Sequence, residues 1–304
     1  MRVAAIDCGT NSIRLLVADV VEGRLVEHTR QMQIVRLGAG VDRTGALADA
    51  ALERTFSALR DYARVVRDMD VDQVRMCATS ATRDASNRAD FVAGCTAILG
   101  VAPEVLSGTE EAAASFRGAT AELPRDVHPP PYLVVDIGGG STELVLGASG
   151  VEECVSLDMG CVRLTERHLR DDPPAPEQVS AAVLDVEALL LTAEATVDPT
   201  RATTRVGLAG SVTTVAALAA GLESYDPHRI HLSRTSYDDV DRVTTMLLSA
   251  SRAQRLDLPV MHPGRADVIA GGALVLRSVM RRWSISEVVA SERDILDGIA
   301  LSLA

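Results

Sequence analysis

One pattern occurs twice in this chain and restricts its fold more than any other feature. Val3-Ala4-Ala5-Ile6-Asp7 is a short apolar run ending in an acid. Cys8-Gly9-Thr10-Asn11-Ser12 follows, and then a second apolar-rich run from Ile13 to Val20. Far downstream, Leu133-Val134-Val135-Asp136 leads through Ile137-Gly138-Gly139-Gly140-Ser141 into Thr142-Glu143-Leu144-Val145-Leu146. Aligned on the two aspartates, both copies read Asp-x-Gly-x-x-Ser-x-x-Leu. Each runs on through a turn, near Glu22-Gly23 and near Ser149-Gly150, into a third strand. Such self-similarity means one supersecondary unit used twice, so the expected fold is α/β with two related lobes. One position differs in sign: Arg14 stands where the second copy has Glu143. The halves are therefore expected to have specialised, one supplying a cation and the other an acid.

The pattern has a physical use. Glycines between antiparallel strands let the backbone approach an anion closely and turn its N–H groups inward. An aspartate at the strand end can hold a metal, directly or through water. Two copies facing each other across a cleft would grip a chain of phosphates and its metal from both sides. A lone Asp-x-Gly reads as an ordinary hairpin; the repetition of the whole layout carries the argument.

The remaining segments fit this plan. Ala48 to Asp68 has apolar residues at helical spacing (Ala51, Leu52, Phe56, Leu59, Tyr62, Val65, Val66) and is predicted as a long amphipathic helix. Val71–Ala78 and Pro103–Leu106 read as strands, Asn87–Leu99 and Thr109–Leu123 as helices, and the proline-rich Pro124–Pro131 as a linker. Helices are expected near Gly160–Arg170 and Pro176–Val197. A strand at Arg205–Ala209 enters Gly210-Ser211 and a helix to Leu222. Helices at Tyr237–Ala250 and Arg265–Arg282, a strand at Ser286–Ala290 and a closing helix at Glu292–Leu303 complete the order. The first domain is placed at 1–123, the second at 124–290, with the C-terminal helix of about 291–304 packing back on the first.

Composition narrows the function. At 304 residues, with 47% hydrophobic and 24% charged residues, the chain is long enough for two ordinary cores. Aromatics are only 3%, so aliphatic residues must fill those cores. No apolar run reaches the length of a membrane span, and Met1–Asp7 enters a strand pattern without a signal-peptide layout. Five cysteines with no Cys-x-x-Cys pair suggest reduced thiols in a cytoplasm rather than disulfides or zinc. A net charge of −12 argues against a nucleic-acid polymer as partner. All 30 basic residues are arginine, which excludes P-loop-lysine and Schiff-base chemistry while leaving bidentate phosphate contacts open.

With these residues in view, the whole chain resembles the exopolyphosphatase and guanosine pentaphosphate phosphohydrolase family, within the superfamily of actin, sugar kinases and the 70-kilodalton chaperones. Asp7–Leu15 is similar to the family's first phosphate loop and Asp136–Leu144 to its second. Ala78–Asn87 and Leu106–Ala112 match two further segments. The resemblance implies two actin-like (ribonuclease H-like) domains with a cleft between them. It makes Glu111, the second acid of Glu110-Glu111, the catalytic residue that orients or deprotonates water; a first-turn solvated acid is the alternative. Asp7, Asp136 and Glu143 become metal candidates, for Mg²⁺ with Mn²⁺ able to substitute. Gly9, Thr10, Asn11, Ser12 and Arg14, with Gly138, Gly139, Gly140 and Ser141, become substrate contacts.

Arg83 resembles a family arginine facing the cleft, the alternative being a surface arginine at a helix cap. Gly210 and Ser211 sit where actin-like proteins place a third loop, but depart from the family's Gly-Gly-Thr form. His262–Asp267 matches a family segment and is read as structural. Ser291–Gly298 departs from the usual Leu-Arg-Glu-Gly ending, and the added C-terminal helical domain of long members is not expected.

The activity implied is hydrolysis of the terminal phosphoryl group of polyphosphate, with guanosine pentaphosphate as the alternative substrate. A small-molecule kinase and a phosphorylated-alarmone sensor are the rival readings. A homodimer is expected by analogy alone.

Overall fold

Each half of the chain builds one sheet, and the two sheets follow the same plan. The computed structural model describes residues 1–303, so residue 304 of the closing stretch lies outside the described residues. Two compact units emerge: Met1–Glu122 joined by the chain from Asp294 onward, and Leu123–Arg293.

In the first unit, β1 (Arg2–Cys8), β2 (Ser12–Val21) and β3 (Arg24–Ile34) form an antiparallel meander. Strands β4 (Gln73–Ala78) and β5 (Glu104–Val105) add in parallel on the other side of β1, giving the order β3-β2-β1-β4-β5. In the second unit, β6 (Tyr132–Ile137), β7 (Thr142–Gly147) and β8 (Val151–Leu157) repeat the meander. Here β9 (Thr204–Leu208) pairs in parallel with β6. Strands β10 (Arg234–Ser236) and β11 (Glu287–Ala290) extend the sheet to the order β10-β11-β9-β6-β7-β8. The chain is thus mixed α/β with two sheets, and the sequence repeat marks the centre of each.

The central strands of the first sheet are buried because helices cover both of its faces, the usual condition for parallel strands. Side chains of β1 alternate between faces. Ala4, Ile6 and Cys8 join Leu59, Tyr62 and Phe91 under the helices Asp49–Asp68 and Arg88–Leu99. Val3 and Ala5 join Leu296 and Ile299 of the C-terminal helix Ile295–Leu301 on the opposite face. One larger core fills the second unit. Within it, Gly271 and Gly272 let the helix Ile269–Arg282 approach Cys161, Thr165 and Ser211 closely enough that a Cβ would overlap them.

Several helix and strand ends differ from the sequence expectation. The helix predicted from Arg265 begins at Ile269, because residues 264–268 form turns after Pro263. The closing helix begins at Ile295, capped by the Asp294 side chain on the Leu296 N–H at 3.0 Å. The helix expected through Leu123 ends at Thr120. Strand β10 and short helices such as Val41–Thr44 and Ser80–Asp84 had no periodic signal long enough to read.

Candidate active site

The two loops close in the same way. In the first unit the Gly9 N–H donates to the Ser12 carbonyl at 2.9 Å; in the second the Gly138 N–H donates to the Ser141 carbonyl at 3.0 Å. The strand register places the same repeat positions opposite each aspartate, Asp7 against Arg14 and Asp136 against Glu143.

The first loop is anchored from outside. The Asn11 carbonyl accepts the N–H groups of Val35 (3.0 Å) and Arg36 (2.9 Å), and the Thr10 carbonyl accepts Gly38 N–H at 2.8 Å. Thr10 and Ser80 share a buried hydroxyl hydrogen bond of 2.9 Å. Arg14, expected to meet substrate, is engaged within the fold. Its Nε and Nη2 both donate to Asp7 Oδ2, at 3.1 and 2.6 Å, while its Nη1 donates to Asp294 Oδ2. Burial works against charge on this guanidinium, but Asp294 and Asp7 outweigh it and raise its pKa well above the ordinary value. Burial also pushes Asp7 above the usual carboxylate range, with Arg14 opposing. The other carboxylate oxygen, Asp7 Oδ1, is buried and has no hydrogen-bond partner. A buried orphan oxygen of this kind marks a place for a cation or a water.

The Glu110-Glu111 pair divides its tasks. Ser107 caps the helix Gly108–Thr120, and Glu110 Oε2 accepts from the Ser107 N–H (2.8 Å) and hydroxyl (2.7 Å) in a capping box. Those bonds hold Glu110 below its ordinary pKa. Glu111 instead is buried, and its Oε2 accepts Arg83 Nη1 at 3.0 Å. The same Arg83 nitrogen reaches the Leu106 carbonyl at 2.9 Å, which ties the short helix Ser80–Asp84 to the segment before Glu111. Two residues matched separately in the sequence therefore form one charge-assisted pair.

In the second unit the loop is fixed through its carbonyls. The N–H groups at the start of the helix Cys161–Arg167 donate to Gly138 (Cys161, 2.9 Å) and Gly139 (Val162, 2.8 Å), and Arg163 Nε donates to the Gly140 carbonyl at 2.7 Å. A Cβ on Gly160 would overlap Gly139 and Gly140, so this contact requires glycine. Among the described residues, the N–H groups of Gly139, Gly140 and Ser141 donate to no backbone carbonyl, although Gly140 and Ser141 are buried. Buried donors of this kind need an acceptor, and phosphoryl oxygens are suitable ones. Asp136 and Glu143 are also buried, and Glu143 Oε1 accepts the Ser156 hydroxyl at 2.7 Å. Two acids directly opposite each other repel unless a proton or cation neutralises them.

Gly210 and Ser211 begin the helix Ala209–Ala219, preceded by Leu208 and entered through Ala209 at φ 65°. That left-handed value is strained for a residue with a Cβ. Over this turn lies Arg265, from the His262–Asp267 segment expected to be structural. The Arg265 guanidinium covers Gly210 so closely that a Cβ there would overlap it, and its Nη1 lies 3.3 Å from Thr214 Oγ1. Its position after His-Pro-Gly was the available signal. No group of three or more His, Cys, Asp or Glu gathers as a metal cluster among the described residues. A cation here would be held by one or two carboxylates with water and substrate oxygens, as Mg²⁺ commonly is.

Comparison with known proteins adds relatives that share the whole plan. The family model described as the Ppx/GppA phosphatase family matches residues 16–304. Exopolyphosphatase 2 of Mycobacterium tuberculosis is 51% identical over 100% of this chain and 98% of its own length. The crystal structure of the Aquifex aeolicus Ppx/GppA family member superposes with a TM-score of 0.83 at 30% identity, over 100% of this chain and 97% of that one. An exopolyphosphatase from Cytophaga hutchinsonii superposes at 0.91 with 25% identity and the same coverage.

Proposed function

The chain belongs to the Ppx/GppA phosphatase family, and from that premise we propose that it hydrolyses the terminal phosphoryl group of inorganic polyphosphate and releases orthophosphate. The observation that carries the reading is the second loop. There, three N–H groups with no backbone acceptor lie in the turn between two buried, opposed acids, Asp136 and Glu143. Donors for phosphoryl oxygens and a seat for a divalent cation are the two things a phosphoanhydride needs, since charge neutralisation dominates catalysis of phosphoryl transfer.

In this reading Glu111 positions the attacking water and takes its proton. The water oxygen bonds to the terminal phosphorus as the bridging P–O bond breaks, and the shortened chain leaves with the bridging oxygen. Arg83 holds the Glu111 carboxylate in place at 3.0 Å. In the second unit Gly138, Gly139, Gly140 and Ser141, with Arg265, Gly210 and Ser211, are phosphoryl contacts in this reading; in the first unit Gly9, Thr10, Asn11 and Ser12 are. Each unit offers hard oxygen donors that fit Mg²⁺ or Mn²⁺: Asp136 and Glu143 in the second, the orphan Asp7 Oδ1 in the first. When bound, the metal neutralises charge that develops on the phosphoryl oxygens.

The described helices include none long and apolar enough to cross a membrane. All five cysteines are free, and all but Cys154 are buried, which agrees with a reaction in the cytoplasm. The test is phosphate release with Mg²⁺ from short polyphosphate, long polyphosphate and guanosine pentaphosphate side by side. Preference for a polyphosphate supports this reading. Preference for the guanosine compound replaces the substrate, and no release from any of the three removes the hydrolase reading.

A further inference from the structure

The C-terminal helix of the first unit begins in a ladder of charges that reaches the first loop. Asp294, Arg14 and Asp7 form its inner part, described above. Asp294 is itself fixed on both sides. Its Oδ1 accepts the Leu296 N–H at 3.0 Å, and its own N–H donates to Asp297 Oδ2 at 3.0 Å. Asp297 in turn takes Arg30 of β3 through both oxygens, at 2.6 and 3.2 Å. Asp294 and Asp297 are almost fully buried.

Two features make this more than a structural staple. First, Arg14 places both of its Asp7 contacts on one oxygen, Oδ2, which leaves Oδ1 buried and without a hydrogen bond. Second, the inner triad contains two carboxylates against one guanidinium. Its surplus negative charge sits beside that open oxygen. An arginine paired with Asp7 alone would cancel the charge; an arginine shared with Asp294 does not.

Resting on the phosphatase reading above, we infer that Asp294 is a positioning residue for the metal: by sharing Arg14 it leaves Asp7 Oδ1 free of hydrogen bonds and keeps the first loop negative enough to attract a divalent cation. Partners one step behind a ligand commonly change metal affinity by 10- to 100-fold when removed. Asp294 acts at that remove, from the far end of the sequence.

The test compares Mn²⁺ binding, read from the electron paramagnetic resonance of the free ion, with the Mg²⁺ dependence of phosphate release. The proteins are the full chain, Asp294→Asn and Arg30→Gln. Asparagine caps a helix as well as aspartate, so Asp294→Asn can keep the Leu296 bond while it loses the charge. It is expected to weaken Mn²⁺ binding about tenfold or more and raise the half-activating Mg²⁺ concentration by the same factor. At saturating Mg²⁺ its kcat should return to within a few-fold of the parent.

Arg30→Gln breaks the ladder one step further out; it should lower the melting temperature and leave Mn²⁺ affinity within about twofold. Parent-like Mn²⁺ affinity in Asp294→Asn overturns the inference, as does an equal loss in Arg30→Gln, which would show a purely structural role. Absence of Mn²⁺ binding to the parent protein overturns it too. If Asp294→Asn fails to fold, Arg14→Lys answers the same question. It keeps a cation but cannot span both carboxylates, so unchanged Mn²⁺ affinity there sinks the idea. A parent that binds Mn²⁺ and releases no phosphate contradicts the hydrolase reading and leaves this inference standing.

Discussion

The two loops are near copies in backbone and opposites in charge. Both close with a glycine N–H on the serine carbonyl three residues later, and both face an aspartate across the hairpin with the residue seven positions on. In the first that residue is Arg14, drawn into a buried ion-pair triad; in the second it is Glu143, a second buried acid. The backbone plan is thus shared, and the residue opposite the aspartate differs: an arginine divided between two acids in the first loop, a second acid in the other.

The comparison can be broken most severely by giving the second loop the partner of the first. Glu143→Arg should lower phosphate release by roughly 10³-fold, the several kcal/mol a metal contributes at a transferring phosphoryl group, and excess Mg²⁺ should not restore it. Rescue by Mg²⁺ would mean that Glu143 takes no part in holding the cation. In the first loop the equivalent damage falls on stability. Arg14→Met leaves Asp7 and Asp294 buried without their cation, and breaking a buried pair costs about 3–5 kcal/mol. Denaturant unfolding measures this, and a loss below about 1 kcal/mol would place the triad in water-like surroundings.

Smaller in effect, Glu111→Gln should reduce kcat by about 10²-fold, the lower range for a proton-transfer group, with KM nearly unchanged. Glu110→Gln should leave kcat within about twofold, since a glutamine can still close a capping box. Equal loss in both variants would contradict the division of tasks seen at the helix start.

Much of the fold could be read from the sequence because the repeat placed the same spacing twice. A strand-turn-strand with period-two burial and a long amphipathic helix are local signals. The second unit's β10 and the four- and five-residue helices are too short to carry one. The site was less legible. Glu110 and Glu111 are adjacent, and only the helix geometry shows that one turns to Ser107 and the other to Arg83. The Ser107-x-x-Glu110 spacing was present as a capping signal but gives no direction for Glu111.

Arg14 shows a different limit. Its partner Asp294 lies in the last helix, at a separation no local pattern spans, so a residue expected to meet substrate emerged tied into the fold. Arg265 follows a Pro-Gly turn that explains itself structurally, which concealed a guanidinium lying across Gly210. Burial and pairing at long range, rather than residue type, decided these cases.

A divalent cation held by Asp136 or Glu143, as proposed above, would be visible crystallographically. Crystals grown with Mn²⁺ and measured at the manganese absorption edge test it directly. An anomalous peak is expected within about 2.0–2.6 Å of an Asp136 or Glu143 carboxylate oxygen. A fully occupied Mn²⁺ bound elsewhere, with no peak beside either acid, would contradict it.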